Sequence, residues 1–193
     1  DSILTIKATS LDIGVEMTLP VKVVKPGTVA VSGSVLYNFI SNITNDKNIT
    51  LESIDGNLKV YTKHSESLIK AHPIDDFPNI PKVESSTPFT FNVPNLLKGF
   101  KSVMYSSSVS TIRPVLSSIL LASEDDSVTF VATDSFRLAE KRIKHKSAQD
   151  FPSVIIPSKN IGDIIKTIED LDEDIEVLFD KTQIAFVGTN LYL

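Results

Sequence analysis

Two stretches of the chain, DSILTIKATSLDIGVE at residues 1–16 and DDSVTFVATDSFRLAE at residues 125–140, resemble each other at an offset of 124 residues. Similar apolar patterns recur further along at offsets of 125 and 126, and the offset changes only between segments, as loop insertions would make it. The pattern predicts a tandem repeat of about 125 residues. The chain is then expected to begin and end inside a repeat, as a fragment of a longer protein.

The first repeat is predicted to contain one short helix and several strands. The strands are predicted at residues 29–32, 49–54, 57–62 and 66–72. Asp55-Gly56 lies between two segments that alternate in period two, which indicates a hairpin. Ser32 or Ser34 can cap the helix. The helix carries an apolar face at helical spacing, formed by Leu36, Phe39, Ile40 and Ile43.

The second repeat follows the same order of strand, helix and hairpins. Strands are predicted at residues 89–93, 115–123, 127–133, 138–143, 154–157, 175–179 and 183–187. Pro94 suits the first turn of one helix, and a second helix runs from residue 159 to about residue 169. The predicted apolar faces are Leu96, Leu97, Phe100, Val103 and Met104 in one helix, and Ile161, Ile164, Ile165 and Ile168 in the other. The fold class is α+β, with repeated strand-helix-strands units and helices on one face of antiparallel sheet.

A proline-rich segment separates the two repeats. Residues 75–88 contain DDFPNIP and a polar ESST run, which is typical of a linker. We therefore place a first domain at residues 1–87 and a second at residues 88–193, truncated at its C-terminal end.

Composition narrows the class of protein. The 193 residues are 41% hydrophobic and 22% charged, contain no cysteine and carry a net charge of −5. Cysteine chemistry is excluded, and no apolar run is long enough to predict a membrane span. The chain has no secretory signal pattern, so we expect a cytoplasmic protein. The acidic balance argues against DNA binding by bulk charge, although a local basic face remains compatible with it.

Four lysines lie opposite the apolar faces of the two predicted helices of the second repeat: Lys98, Lys101, Lys159 and Lys166. Two interpretations remain open at this point. The lysines form an ordinary solvated helix surface, or they form a shared basic face for a phosphate backbone.

The segment from Thr133 to Leu138 places Phe136 and Arg137 beside a leucine, a combination common at interaction surfaces. A simple turn at the end of a strand is the alternative. Histidines are scattered, no catalytic or cofactor motif occurs, and we expect no metal or cofactor. An enzyme, such as a metal-dependent nuclease using Asp134 or Asp126, is the weaker alternative.

Six segments in this order resemble the bacterial DNA polymerase III beta subunits, the replicative sliding clamps. They are KATSLDIGVE, GTVAVSGSVLYNFI, DDFPNIP, RPVLSSILL, VATDSFRLAEKRI and SVIIPSKNIGDIIK. The resemblance implies a chain of three similar domains, two copies of which close head to tail into a ring around duplex DNA. It implies that the later part of the first domain and most of the second are present, with the third absent.

The resemblance also implies a function and its residues. A clamp is a non-catalytic processivity factor that tethers the polymerase III catalytic subunit, the clamp loader and repair proteins to double-stranded DNA. Lys98, Lys101, Lys159 and Lys166 would face DNA. A partner peptide would dock on Leu116, Thr133, Ser135, Phe136, Arg137 and Leu138. The edge strand around residues 67–69 would pair with another subunit. A non-topological protein-interaction adaptor is the alternative function.

Overall fold

The computed structural model describes residues 2–10, 12–44, 46–84, 88–145, 151–180 and 182–193. The helices are α1 (Gly33–Ser41), α2 (Val93–Val103) and α3 (Ser158–Ile168). The strands in chain order are β1 (Ile3–Thr9), β2 (Gly14–Pro20), β3 (Ala30–Val31), β4 (Thr50–Ile54), β5 (Asn57–Tyr61), β6 (Glu66–Ile69), β7 (Ala71–His72), β8 (Phe89–Asn92), β9 (Ser118–Glu124), β10 (Ser127–Thr133), β11 (Leu138–Lys144), β12 (Val154–Pro157), β13 (Asp174–Phe179), β14 (Ile184–Val187) and β15 (Leu191–Tyr192). Each of the three helices is too short to cross a membrane.

The strands form antiparallel sheets, which confirms the α+β class. The largest sheet has the order β1-β2-β15-β14-β13-β8, and a four-stranded sheet has the order β11-β10-β9-β12. Two smaller sheets, β3-β7 and β4-β5-β6, belong to the first repeat. The hairpin β1–β2 therefore completes a sheet whose other strands come from the second repeat, so the two repeats share backbone hydrogen bonds.

The backbone confirms the tandem repeat. Strands β1 and β10 are offset by 124 residues, and so are β2 and β11. The two hairpins also pair in the same register, since Thr9 faces Gly14 and Thr133 faces Leu138. The hairpin predicted at Asp55-Gly56 is confirmed, and both residues have the positive φ, 48° and 74°, that a tight two-residue turn requires.

The main hydrophobic core lies in the second repeat, between α2, α3 and the sheets. Asn92 caps α2 by accepting a hydrogen bond from the Asn95 backbone N–H at 3.4 Å, and Pro94 lies in the first turn as predicted. Every apolar residue predicted for α3 is buried, and so are Leu96, Phe100 and Val103 in α2. Burial of one face of each helix leaves the opposite faces, which carry the lysines, toward solvent.

The first repeat has a much smaller core. Leu36 and Phe39 of α1 pack half-buried against Leu58, Val60 and Ile69. The prediction that Ile40 belongs to a buried face is wrong, because α1 meets the three-stranded sheet through Leu36 and Phe39 while Ile40 stays exposed.

Three local predictions are corrected by the structure. Ser32 precedes α1, but its hydroxyl pairs with that of Ser34 at 3.0 Å and caps no backbone N–H. The single strand predicted at residues 66–72 is broken, because β6 pairs with β5 while β7 pairs with β3. The strand predicted from residue 115 starts at Ser118, whose hydroxyl donates to the Pro114 carbonyl at 2.7 Å and closes a turn.

The predicted linker is fastened to the six-stranded sheet. The Val83 backbone N–H donates to the Tyr192 hydroxyl at 2.6 Å, and that hydroxyl donates to the Pro81 carbonyl at 3.3 Å. Lys82 lies 3.7 Å from the centre of the Tyr192 ring and pairs with Glu16 at 3.1 Å. These contacts fix the segment up to residue 84, while the predicted boundary at residue 87 lies outside the described residues.

Candidate nucleic-acid and peptide interfaces

Four exposed lysines project from α2 and α3. Lys98 and Lys101 lie on α2, and Lys159 and Lys166 lie on α3, all on faces turned away from the buried side of their helices. The two helices contact each other. Such a group of ammonium ions can bind a polyanion without reading its sequence.

Two of these lysines are paired with carboxylates. Lys101 Nζ lies 3.3 Å from Glu169 Oε2, and Lys159 Nζ lies 2.5 Å from Asp12 Oδ2. Lys98 and Lys166 form no ion pair with any residue that the structure describes. The predicted basic surface is therefore partly neutralised by the protein itself.

The loop between β10 and β11 is organised by Asp134. Its carboxylate accepts from the backbone N–H groups of Phe136 and Arg137, each at 3.0 Å, and from Arg137 Nε at 3.0 Å. The Thr133 hydroxyl closes the loop by donating to the Arg137 carbonyl at 2.8 Å. Ser135 has a φ of 79°, a left-handed conformation that the surrounding hydrogen bonds hold in place.

These bonds make Asp134 a structural residue of the loop. The backbone N–H groups of Phe136 and Arg137 lower the pKa of its carboxyl, because they stabilise the charged form. In the part of the chain that the structure describes, no group of three or more acidic or histidine side chains is placed to hold a metal ion. The hydrogen bonds of the loop thus account for the lowered pKa of Asp134.

The lowered pKa of Asp134 predicts a pH dependence of the loop. A carboxyl with a pKa lower in the folded state stabilises the structure above its unfolded pKa, and this contribution is lost as pH falls through the lowered value. We expect the amide resonances of Phe136 and Arg137 to stay unchanged from neutral pH to about pH 4 and to shift at lower pH.

The measurement is an NMR pH titration of the backbone amides. Asp134→Asn is the matched variant, since its side-chain oxygen can still accept hydrogen bonds but does not titrate. Its Phe136 and Arg137 resonances should be insensitive to pH in the same range. An unaltered titration in the variant would contradict the assignment to Asp134.

The loop presents an apolar surface. Phe136 is 98% exposed and Leu138 is 64% exposed, while Thr133 is half-buried. The guanidinium of Arg137 lies 5.9 Å from the centre of the Tyr105 ring, which links the loop to the turn after α2. Other exposed apolar side chains follow that turn, namely Val109, Ile112 and Val115. The loop region thus exposes several large apolar side chains, a feature of surfaces where proteins bind one another.

The segment that contains Leu116 is held beside the same turn. The Ser108 backbone N–H donates to the Leu116 carbonyl at 2.7 Å, and Leu116 itself is half-buried. The structure thus ties Leu116 to the segment that follows Tyr105, and Tyr105 lies beside Arg137. Sequence reasoning missed Tyr105, which follows directly on the apolar face of α2 and had no signal of its own.

Sequence reasoning also missed Asp12. At the repeat offset of 124 it corresponds to Phe136, so the alignment of the two repeats held the signal. Its contact with Lys159 depends on how the hairpin β1–β2 lies against the second repeat, which the alignment does not show.

The fold and these surfaces define a class: a tandem α+β protein with lysine-bearing helices and an apolar loop at a hairpin end. Residues 1–81 match the family "DNA polymerase III beta subunit, N-terminal domain", and residues 91–193 match the family "DNA polymerase III beta subunit, central domain". The chain belongs to the DNA polymerase III beta subunit family.

Two relatives match nearly the whole chain at low identity. The beta sliding clamp of Synechococcus elongatus is 24% identical over 98% of this chain and 52% of its own length. That of Staphylococcus epidermidis is 27% identical over 93% of this chain and 50% of its own length. The chain therefore spans about half the length of these relatives.

The solved structures confirm the fold. The beta subunit of DNA polymerase III from Thermotoga maritima matches with a TM-score of 0.91 at 20% identity, over all of this chain and 52% of that one. A sliding clamp from Bartonella birtlesii, solved with griselimycin bound, matches with a TM-score of 0.89 at 24% identity, over all of this chain and 53% of that one.

Proposed function

We propose that this chain is part of a replicative sliding clamp, a non-catalytic processivity factor that encircles duplex DNA and tethers polymerase. The observation that carries the proposal is the match of consecutive N-terminal and central domains of one family across nearly the whole chain. In this proposal residues 1–87 are the later part of a first domain and residues 88–193 are most of a second. Two copies of the intact protein form a head-to-tail ring in the bacterial cytoplasm.

The lysines of α2 and α3 are proposed to face DNA. Lys98 and Lys166 have exposed ammonium groups without a carboxylate partner among the described residues, so they can contact phosphate oxygens directly. Contacts of this kind do not depend on base sequence, and their strength falls as salt rises. A closed ring stays on DNA by topology, so weak contacts allow it to slide.

The apolar loop is proposed to bind partner peptides. Phe136 and Leu138 offer apolar surface, and Arg137 with Tyr105 supplies a charged and aromatic border. The polymerase III catalytic subunit, the clamp loader and repair proteins are the proposed partners. Leu116, Thr133 and Ser135 complete the proposed wall, with the opposite wall contributed by a third domain.

Topological retention tests the clamp function. The intact protein is loaded on nicked circular DNA with its clamp loader, the DNA is linearised, and retention is followed by gel filtration. We expect protein to remain on circles and to leave linear DNA through the ends. Equal retention on both forms would indicate ordinary DNA binding, and an absence of retention would favour the adaptor function.

Charge reversal of the two unpaired lysines tests the DNA surface. For Lys98→Glu with Lys166→Glu, we expect loading on circles to fall by tenfold or more and to lose much of its salt dependence. The matched control is Lys22→Glu with Lys25→Glu, which makes the same change in charge at two exposed lysines of the first repeat that also have no ion pair with a described residue. An equal fall in the control would assign the effect to net charge.

A further inference from the structure

Two carboxylates form ion pairs with lysines of the proposed DNA surface. Asp12 pairs with Lys159 and Glu169 pairs with Lys101, as described above. The Asp12 and Lys159 side chains are 58% and 64% exposed, so water and salt reach the pair. An exposed pair of this kind is weak and exchanges its partners readily.

The position of Asp12 is set by hydrogen bonds in the turn between β1 and β2. The Thr9 hydroxyl donates to the Ile13 carbonyl at 3.0 Å, and the Ser10 N–H donates to the same carbonyl at 2.9 Å. The second repeat has the same two bonds, from Thr133 and Asp134 to the Arg137 carbonyl. Asp12 therefore stands where the second repeat has Phe136, on a hydrogen-bonded turn that directs it toward α3.

We propose that Asp12, together with Glu169, limits the affinity of this protein for DNA by competing with phosphate for Lys159 and Lys101. The inference rests on the proposed function, since it concerns the same lysine surface. When a phosphate oxygen takes the ammonium group, the carboxylate is freed and takes up a cation from solution. Fewer cations are then released in total, so binding is weaker and depends less on salt.

The consequence for a clamp is easy exchange along the duplex. Each lysine can return to its carboxylate as one phosphate leaves and before the next arrives, so no contact holds the ring at one position. Asp12 acts through Lys159 and is a positioning residue in this scheme. It does not itself touch DNA.

Removing the competing charge tests the proposal. We would measure the binding of the intact protein to a short fluorescein-labelled duplex by anisotropy at a series of KCl concentrations. For Asp12→Asn we expect binding to tighten about two- to fivefold, the range that an exposed ion pair supplies. The slope of log K against log salt should steepen by up to about 0.9, the value for one more neutralised phosphate. Glu169→Gln should act in the same direction.

The matched control is Glu140→Gln, which removes an exposed carboxylate that pairs with Arg142 Nε at 2.8 Å on β11. It makes the same change in net charge and removes one ion pair elsewhere. If Asp12→Asn changed affinity and slope no more than Glu140→Gln does, the competition would be ruled out. A lower melting temperature of Asp12→Asn with an unchanged salt slope would also overturn the proposal. That result would mean that the pair of Asp12 with Lys159 stabilises the fold and does not compete with DNA.

The lysine variant separates this inference from the proposed function. If Lys98→Glu with Lys166→Glu weakens duplex binding while Asp12→Asn leaves it unchanged, the proposed DNA surface is supported and the proposed competition by Asp12 is rejected. If the lysine variant binds as tightly as the unaltered protein, both the proposed DNA surface and the proposed competition are rejected.

Discussion

Replacing Gly99 with alanine is expected to lower the free energy of unfolding by about 3 kcal/mol, the upper part of the range for overpacking a core. Gly99 lies on the buried face of α2, and a Cβ atom there would overlap the Phe130 ring, with Cε1 only 2.6 Å away. Phe130 cannot turn aside, because its ring packs edge-on against Phe100 and Phe91 at centroid distances of 5.2 and 6.2 Å. The measurement is urea unfolding followed by circular dichroism.

Gly162 is the matched control. It lies within α3, and a Cβ atom there would meet nothing within 4 Å. Gly162→Ala should therefore raise stability by about 0.5–1 kcal/mol, because alanine favours the helix. If Gly99→Ala were also neutral or stabilising, the close approach of α2 to β10 would be contradicted. Combining Gly99→Ala with Phe130→Leu should recover part of the loss, since the smaller side chain makes room.

The same packing has a consequence for the proposed DNA surface. Gly99 lies between Lys98 and Lys101 on α2, so a helix pushed away from β10 carries both lysines with it. Close packing on the inner side of α2 thus sets the position of the charges on its outer side. A surviving but displaced helix in Gly99→Ala would show weaker DNA loading with all four lysines present.

Removing the two exposed apolar side chains at the turn end of the β10–β11 hairpin is expected to reduce binding of a partner peptide by more than tenfold. Phe136→Ala and Leu138→Ala each remove apolar area that a docked peptide would bury, and a buried side chain of this size contributes about 1.5–3 kcal/mol. Both side chains are mostly exposed in the unbound chain, so their loss should change stability by less than about 0.5 kcal/mol.

The measurement is fluorescence anisotropy with a labelled peptide carrying the clamp-binding motif of a polymerase III catalytic subunit. The intact protein is used, so that the proposed opposite wall is present. Ile155→Ala is the control, since Ile155 is another exposed apolar residue and lies on β12. Equal affinities for the double variant and the control would remove the loop from the peptide site.

The local pattern of residue types was sufficient to predict most of the secondary structure. The apolar residues of α3 recur at helical spacing and are all buried, and Asp55-Gly56 turns the chain as its residue types predict. The tandem repeat was also readable, because equivalent strands keep equivalent residues at an offset that changes only from 124 to 126 residues. These features depend on residues close together in the sequence, or on the comparison of one repeat with the other.

Two predictions that depended on partners distant in the sequence failed. Residues 66–72 are predicted as one strand from the sequence, yet β6 and β7 join different sheets. Ile40 completes the apolar face of α1, yet its burial needs a neighbour that α1 does not have among the described residues. In each case the residue type suits several environments, and the environment is chosen by segments distant in the sequence.

The candidate sites also have a part that the sequence predicts and a part that only the tertiary structure shows. The sequence alone determined that four lysines lie on the solvent side of two helices and that Phe136, Arg137 and Leu138 follow one strand end. Only the tertiary structure decided that Asp12 neutralises Lys159, that Glu169 neutralises Lys101 and that Tyr105 borders the loop. Helical and strand periodicity act over a few residues, whereas an ion pair between residues 12 and 159 exists only because folding brings a hairpin of one repeat against a helix of the other.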